Sequence, residues 1–180
     1  MATAPAILTM EQYLRTSYSP DVDFVDGELK ERNVGEKDHG RMQLMVAAWF
    51  MEREASLSLE AIPEQRMLIS PDRARICDVA IMRQDVPDEQ VPTIPPFICI
   101  EIMSPEDRLS RSIKVLEDYR TMGVNQIWLI DPQERLAYTF GKGGLKQQED
   151  LVLRAADGKI AMDVNEMFAK LDKKKNKENV

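Results

Sequence analysis

Two carboxylates stand where the sequence otherwise reads as buried strand. Between Phe97 and Met103 every side chain is apolar except Glu101, and Asp78 lies among Ile76, Val79, Ala80 and Ile81. An isolated buried charge is costly, so each acid has to be protonated, paired or bound to a cation. Strand alternation puts Glu101 on one face with Phe97, Cys99 and Met103, and Asp78 on one face with Ile76, Ala80 and Met82. If the two strands are neighbours, both carboxylates point at one spot. There they repel unless a shared proton or a divalent cation intervenes. Oxygen donors with open positions suit Mg²⁺ or Mn²⁺. The ordinary alternative is that each acid pairs with an arginine or caps a loop, because structural ion pairs imitate functional ones. An arginine locked onto either acid, or a Lys114 amine turned to solvent far from both, would end a reading in which residues 78, 101 and 114 converge on one ion.

Other residues offer chemistry on weaker grounds. Lys114 follows Glu101 early in a helix whose apolar stripe is Leu109, Ile113 and Leu116. It sits about 100° from Ile113, at the stripe's margin. A pair with Asp118, one turn on, is the ordinary expectation. The functional one is a lysine reaching back to the carboxylates to orient a water or stabilise phosphate charge. His39, the single histidine, falls with Met42, Val46 and Phe50 on an inward helix face. A lone inward histidine is more often structural than catalytic. Glu28 and Asp23 flank a hairpin turn, where charges are usually solvated. Cys77 and Cys99 form no metal-site spacing. Alternation puts them on opposite sides of the sheet, so they are read as small buried apolar residues and no disulfide is expected.

These residues need elements to carry them. "TMEQYLRTS" reads as a short helix capped by Thr9. "VDFVDGELKE" alternates around Asp26-Gly27, a two-residue hairpin signal. A helix follows with Asp38 as its N-cap. "LSLEAI", "QRMLI" and "RICDVAIM" read as three short strands, with a turn at Pro71-Asp72. After a proline-containing loop comes "FICIEIM", apolar on both faces and so read as a central strand. A helix ending at Gly123 and the strand "NQIWLID" come next. "RLAYTF" and "DLVLRA" read as an antiparallel C-terminal extension, and "DVNEMFAKL" as a closing helix. The alternation of helices and strands makes an α/β or α+β architecture.

The chain has 180 residues, 43% of them hydrophobic, enough for one domain with a sizeable core. That domain is read as residues 1–170, with 171–180 a charged, disordered tail. No stretch approaches the roughly 18 apolar residues of a membrane span. The start lacks a basic segment followed by an apolar run, so no secretory signal is read and a cytoplasmic location is expected. The formal charge of −7 counts against tight, non-specific nucleic-acid binding, which draws its affinity from phosphate neutralisation.

Taken together, "FVDGEL", "DHGRMQLMVAAW", "ISPDRARICDVAIM", "FICIEIMSPEDR" and "SIKVLEDYRTMGVNQIWLIDP" resemble, in order and spacing, the Uma-type family of endonucleases. That family is similar to the restriction-endonuclease-like PD-(D/E)xK nuclease superfamily, and the resemblance covers roughly residues 9–168. It implies a mixed central β-sheet flanked by helices, with the N-terminal β-hairpin and the antiparallel C-terminal extension attached. It implies a Mg²⁺- or Mn²⁺-dependent endodeoxyribonuclease, with Asp78 and Glu101 as metal ligands and DNA as substrate. Lys114 matches a lysine moved from the usual position, which here is Met103. His39 and Glu28 match further positions of the pattern. Cys77 stands where proline commonly precedes the aspartate, and Val22-Asp23 replaces a Tyr-Glu pair. Cutting two strands with one site per chain implies a homodimer. The rival readings are a nuclease-like domain without catalysis, serving assembly or ligand binding, and a metal-dependent phosphodiesterase acting on RNA or small nucleotides.

Overall fold

The structure, a computed structural model, describes residues 8–33 and 35–175. Thr9 starts the first helix as expected. Its hydroxyl accepts from the Gln12 amide, and the Gln12 side chain accepts from the Thr9 amide, a capping box that opens α1 (Met10–Arg15). Strands β1 (Val22–Val25) and β2 (Glu28–Glu31) form the expected hairpin. Its turn needs positive φ at both central residues, and Asp26 at 54° and Gly27 at 84° supply it. The next helix, α2 (Lys37–Met51), buries Met42, Val46 and Phe50 together with His39. Its N-cap is Glu36 and not Asp38, because the chain leaves extended geometry two residues earlier than expected. Asp38 lies instead in the first turn, where the helix dipole still favours its charge. A short helix α3 (Glu54–Leu57) follows.

The expected strands "LSLEAI" and "QRMLI" are one strand, β3 (Leu59–Ser70), paired antiparallel along β4 (Arg73–Arg83). Pro63 and Glu64 look like a break in the sequence. In the structure Glu64 takes a left-handed φ of 52°, and pairing resumes on both sides, with Pro63 opposite Val79 and Gln65 opposite Cys77. Strand β5 (Ile98–Ile102) is antiparallel to β4 and parallel to β6 (Gln126–Asp131). The parallel pair is joined by α4 (Leu109–Met122), which ends at Gly123 with φ 106°. The sheet continues through β7 (Leu136–Gly141) to β8 (Gly144–Gln147), in the order β2-β1-β4-β5-β6-β7-β8 with β3 on β4.

"DLVLRA" does not extend β7. Its strand β9 (Val152–Arg154) pairs with β10 (Ala161–Asp163) in a separate small sheet, because the "KQ" segment after the Gly-rich turn takes β7's free edge first. The closing helix α5 (Val164–Lys175) runs into the stretch read as a tail and buries Leu171; residues 176–180 lie outside the described ones. One face of the sheet packs Ile98, Ile100 and Trp128 against α2 and α5. The other packs Ala80, Cys99 and Leu129 against Leu116 and Tyr119 of α4. Among the described residues no helix is long and apolar enough to cross a membrane.

Candidate active site

The site lies in a fork of the sheet. Along one edge β4 pairs with β3 from Arg73 to Arg83, interrupted only at Asp78. Along the other edge β1 pairs only at Arg73 and Ala74, and β5 pairs only at Val79, Ala80 and Ile81. Residues 75–78 therefore have no strand on that side, and side chains replace it. Asp23 accepts the Ile76 amide at 3.1 Å, and Arg32 Nη1 donates to the Ile76 carbonyl at 2.7 Å. Gln43 donates to the Asp78 carbonyl at 2.9 Å. Asp78 in turn reaches across the fork and takes the Ile102 amide of β5 at 2.8 Å through Oδ2.

Asp78 is 2% exposed and fully engaged. Beyond the Ile102 amide, Oδ2 lies 3.3 Å from His39 Nε2, and Oδ1 accepts from Arg32 Nη2 at 2.8 Å. Glu101 is partly buried and accepts a hydrogen bond from the Tyr119 hydroxyl at 2.5 Å. Both acids line one small cavity of about 60 Å³, shared with Arg32, His39, Ser104 and Arg111. Asp78 and Glu101 thus meet in one cavity, but Arg32 is locked onto Asp78 and Lys114 is exposed outside the cavity, so the structure does not bring the three expected residues together.

Simple alternation did not bring the two acids together. Arg75 bonds Asp118 of α4, and Cys77 packs with Ala80 and Cys99 on the α4 face. Two residues on, Val79 and Ile81 pack on the opposite face with α2. The alternation is interrupted at Asp78, across from the left-handed Glu64. Cys77 and Cys99 consequently share a face, contrary to expectation, yet both are free thiols. Burial, followed by the neighbouring Cys99, pushes the Cys77 thiol well above its ordinary range.

Electrostatics follow from the same geometry. Burial opposes the Arg32 charge, but Asp78, Glu101 and Glu64 outweigh it and raise its pKa. Burial likewise disfavours a charged His39, and the bond to Asp78 and its charge outweigh it, so His39 is shifted upward. Glu101 is held well above the usual carboxylate range by burial and then by the charge of Asp78. Tyr119 is raised by burial and by Glu101.

The remaining candidates stand apart. Lys114 is exposed and does not line the cavity, although Ser112 and Val115 of the same helix do. Its ordinary partner is also missing, since Asp118 is bonded to Arg73 and Arg75. Glu28 is exposed and paired with Lys30. Asp23, expected in solvent, is 6% exposed and bonds Arg75 at 2.8 Å. Leu109, expected in the buried stripe, is 42% exposed. Sequence reasoning missed Arg32 and Tyr119. Nothing in "ELKERN" singles out Arg32. Tyr119, three residues after Leu116 on the buried stripe, could have been found, because a buried tyrosine hydroxyl needs a partner.

No cluster of three His, Cys, Asp or Glu side chains arranged to hold a metal occurs among the described residues. Two carboxylates in one cavity still fit Mg²⁺, which commonly uses one or two carboxylates and keeps several waters. Among the described residues the partly buried Glu101 is bonded to the Tyr119 hydroxyl and to no cationic side chain, a setting a divalent ion would relieve.

The fold resembles the crystal structure of "a putative nuclease belonging to DUF820" from Anabaena variabilis, with a TM-score of 0.79 and 17% identity over 90% of this chain and 98% of that one. Comparison with curated proteins finds no match. A family model described as "Uma2: Putative restriction endonuclease" matches residues 10–164. With that match spanning most of its length and this sheet beneath it, the chain belongs to the Uma2 family.

Proposed function

We propose that this chain is a metal-dependent endonuclease that hydrolyses phosphodiester bonds in DNA. The observation that carries the reading is the entry of Asp78 from β4 and Glu101 from β5 into one cavity. Family membership and the nuclease-like fold support it. Asp78 and Glu101 would hold Mg²⁺ or Mn²⁺. When bound, such an ion supplies Lewis-acid polarisation of the phosphate and a water of lowered pKa. The His39 contact and the hydrogen bond from the Ile102 amide fix the rotamer of Asp78, and Tyr119 fixes that of Glu101. Arg111, at the cavity wall, brings positive charge to meet a phosphate oxygen. Lys114 is exposed, so its place in this reading is at the rim, against substrate, and not inside the cavity. Glu28 has no role here. Because one site cuts one strand, the working unit is proposed to be a homodimer.

Incubation of the full chain with duplex DNA in Mg²⁺ or Mn²⁺ tests this. Cleavage is expected, and Asp78→Ala should reduce it by a factor on the order of 10³. Cleavage confined to RNA or small nucleotides would replace the DNA reading with that of a phosphodiesterase. A second reading, a domain without catalysis, is favoured by two observations: Arg32 already neutralises Asp78, and Lys114 is exposed outside the cavity. Calorimetry showing no divalent-ion binding, with no cleavage of any substrate, would establish it instead.

A further inference from the structure

Arg32 holds the oxygen that a metal would need. Asp78 Oδ2 is committed to the Ile102 amide at 2.8 Å and to His39 at 3.3 Å, both parts of the frame. That leaves Oδ1 as the oxygen open to an incoming ion, and Oδ1 is the atom bonded by Arg32 Nη2 at 2.8 Å. Two cations on one carboxylate oxygen repel strongly in a buried setting. Arg32 has somewhere else to go. Its Nη1 is bonded to the Ile76 carbonyl at 2.7 Å, and its Nη2 lies 3.3 Å from Glu64 Oε2. Glu64 occupies the left-handed position opposite Asp78, with a side chain 45% exposed. The guanidinium can therefore leave Oδ1 and keep two partners, one of them anionic. It is carried by the segment between β2 and α2, outside either element.

We infer that Arg32 is a built-in counter-cation that occupies the metal's place on Asp78 and withdraws toward Glu64 when a divalent ion binds. This rests on the metal reading above. It explains how two carboxylates share a buried cavity in the metal-free chain, and it makes metal affinity a competition. The site is then weak by construction and empties when the ion is scarce.

Titration calorimetry of Mn²⁺ into the full chain, without DNA, tests the inference. Wild type is expected to bind weakly. Arg32→Gln is expected to bind more tightly, on the order of tenfold or more, since a unit charge beside the ion has been removed. Arg32→Lys, which keeps the charge, should stay close to wild type, and Asp78→Asn should abolish binding in every background. A folded Arg32→Gln that binds no more tightly than wild type overturns the inference and leaves the metal reading standing. So does an equal gain in Arg32→Lys. No binding by wild type and Arg32→Gln alike overturns both. Should Arg32→Gln not fold, the wild-type Arg32 Nε–H resonance decides during a Mg²⁺ titration. It is expected to move together with the Ile102 amide. An Ile102 amide that moves while Arg32 does not overturns the inference, and neither signal moving overturns both.

Discussion

Glu101 is costly to the fold once it carries a charge, for a reason visible in its surroundings. Its carboxyl is buried beside Asp78 and bonded to Tyr119, and its pKa lies well above the usual carboxylate value. The folded state therefore binds its proton more tightly than the unfolded chain does. The contribution to stability is fully present below about 4.3, the unfolded value, and is lost as pH rises through the folded pKa. Glutamine imitates the protonated form at every pH. Glu101→Gln is thus expected to unfold at a higher temperature than wild type at pH 8 without metal. The gap should close as pH falls below the unfolded value, and saturating Mg²⁺ should shrink it at pH 8. Thermal melts over that range check this, and a pH-independent difference would contradict it. At this scale the sequence was informative wherever a polar residue interrupted an apolar run, as at Asp78 and Glu101. It was silent on Arg32, whose side chain is defined by what lies opposite it in space.

Elements are locked around the site by a second group of buried charges. Asp118 of α4 receives Arg73 at 2.6 Å and Arg75 at 2.6 Å and 2.8 Å, and Arg75 also reaches Asp23 of β1 at 2.8 Å. One carboxylate on α4 thus fixes the helix to β4 and, through Arg75, to the hairpin. Asp118 precedes Tyr119, so the same tie sets the residue that bonds Glu101. Removing one partner of a buried pair strands the other. Asp118→Ala is expected to cost about 3 kcal/mol in a denaturant titration. A loss below about 1 kcal/mol would show the pair to be as weak as a surface one. Helices α1, α2, α4 and α5, the hairpin and the two central strands were legible from caps, turn residues and apolar runs, while the single-turn α3 was not. The pairing of Asp118 was not, because Lys114 is its helical neighbour in sequence while Arg73 and Arg75 reach it only across the sheet. The unbroken β3 was hidden for a similar reason: Pro63 and Glu64 suggest a break that cross-strand pairing with β4 overrides.

For the molecule as a whole, the charge of −7 restricts how the proposed DNA substrate could be approached. With that net charge broad counterion release is weak, so in the proposed reaction DNA contact would be local and centred on the arginine-bearing cavity. Cleavage of both strands, if the proposed reaction holds, would call for two chains, and the proposed homodimer is checked by sedimentation velocity at working concentration. A dimer is expected. A lone monomer peak, together with nicking but no double-strand cuts, would instead assign one-strand chemistry to the chain.

By itself, the sequence determined the types of the longer elements, the hairpin turn and the two acids set into apolar strands, because these depend on local backbone preference and on the cost of burying charge. Tertiary structure alone decided that β1 and β5 leave β4 open at residues 75–78, that Arg32 fills the opening, and that Lys114 faces outward. Those outcomes are set by which strands share an edge and where they diverge, a competition among distant segments that no local pattern encodes.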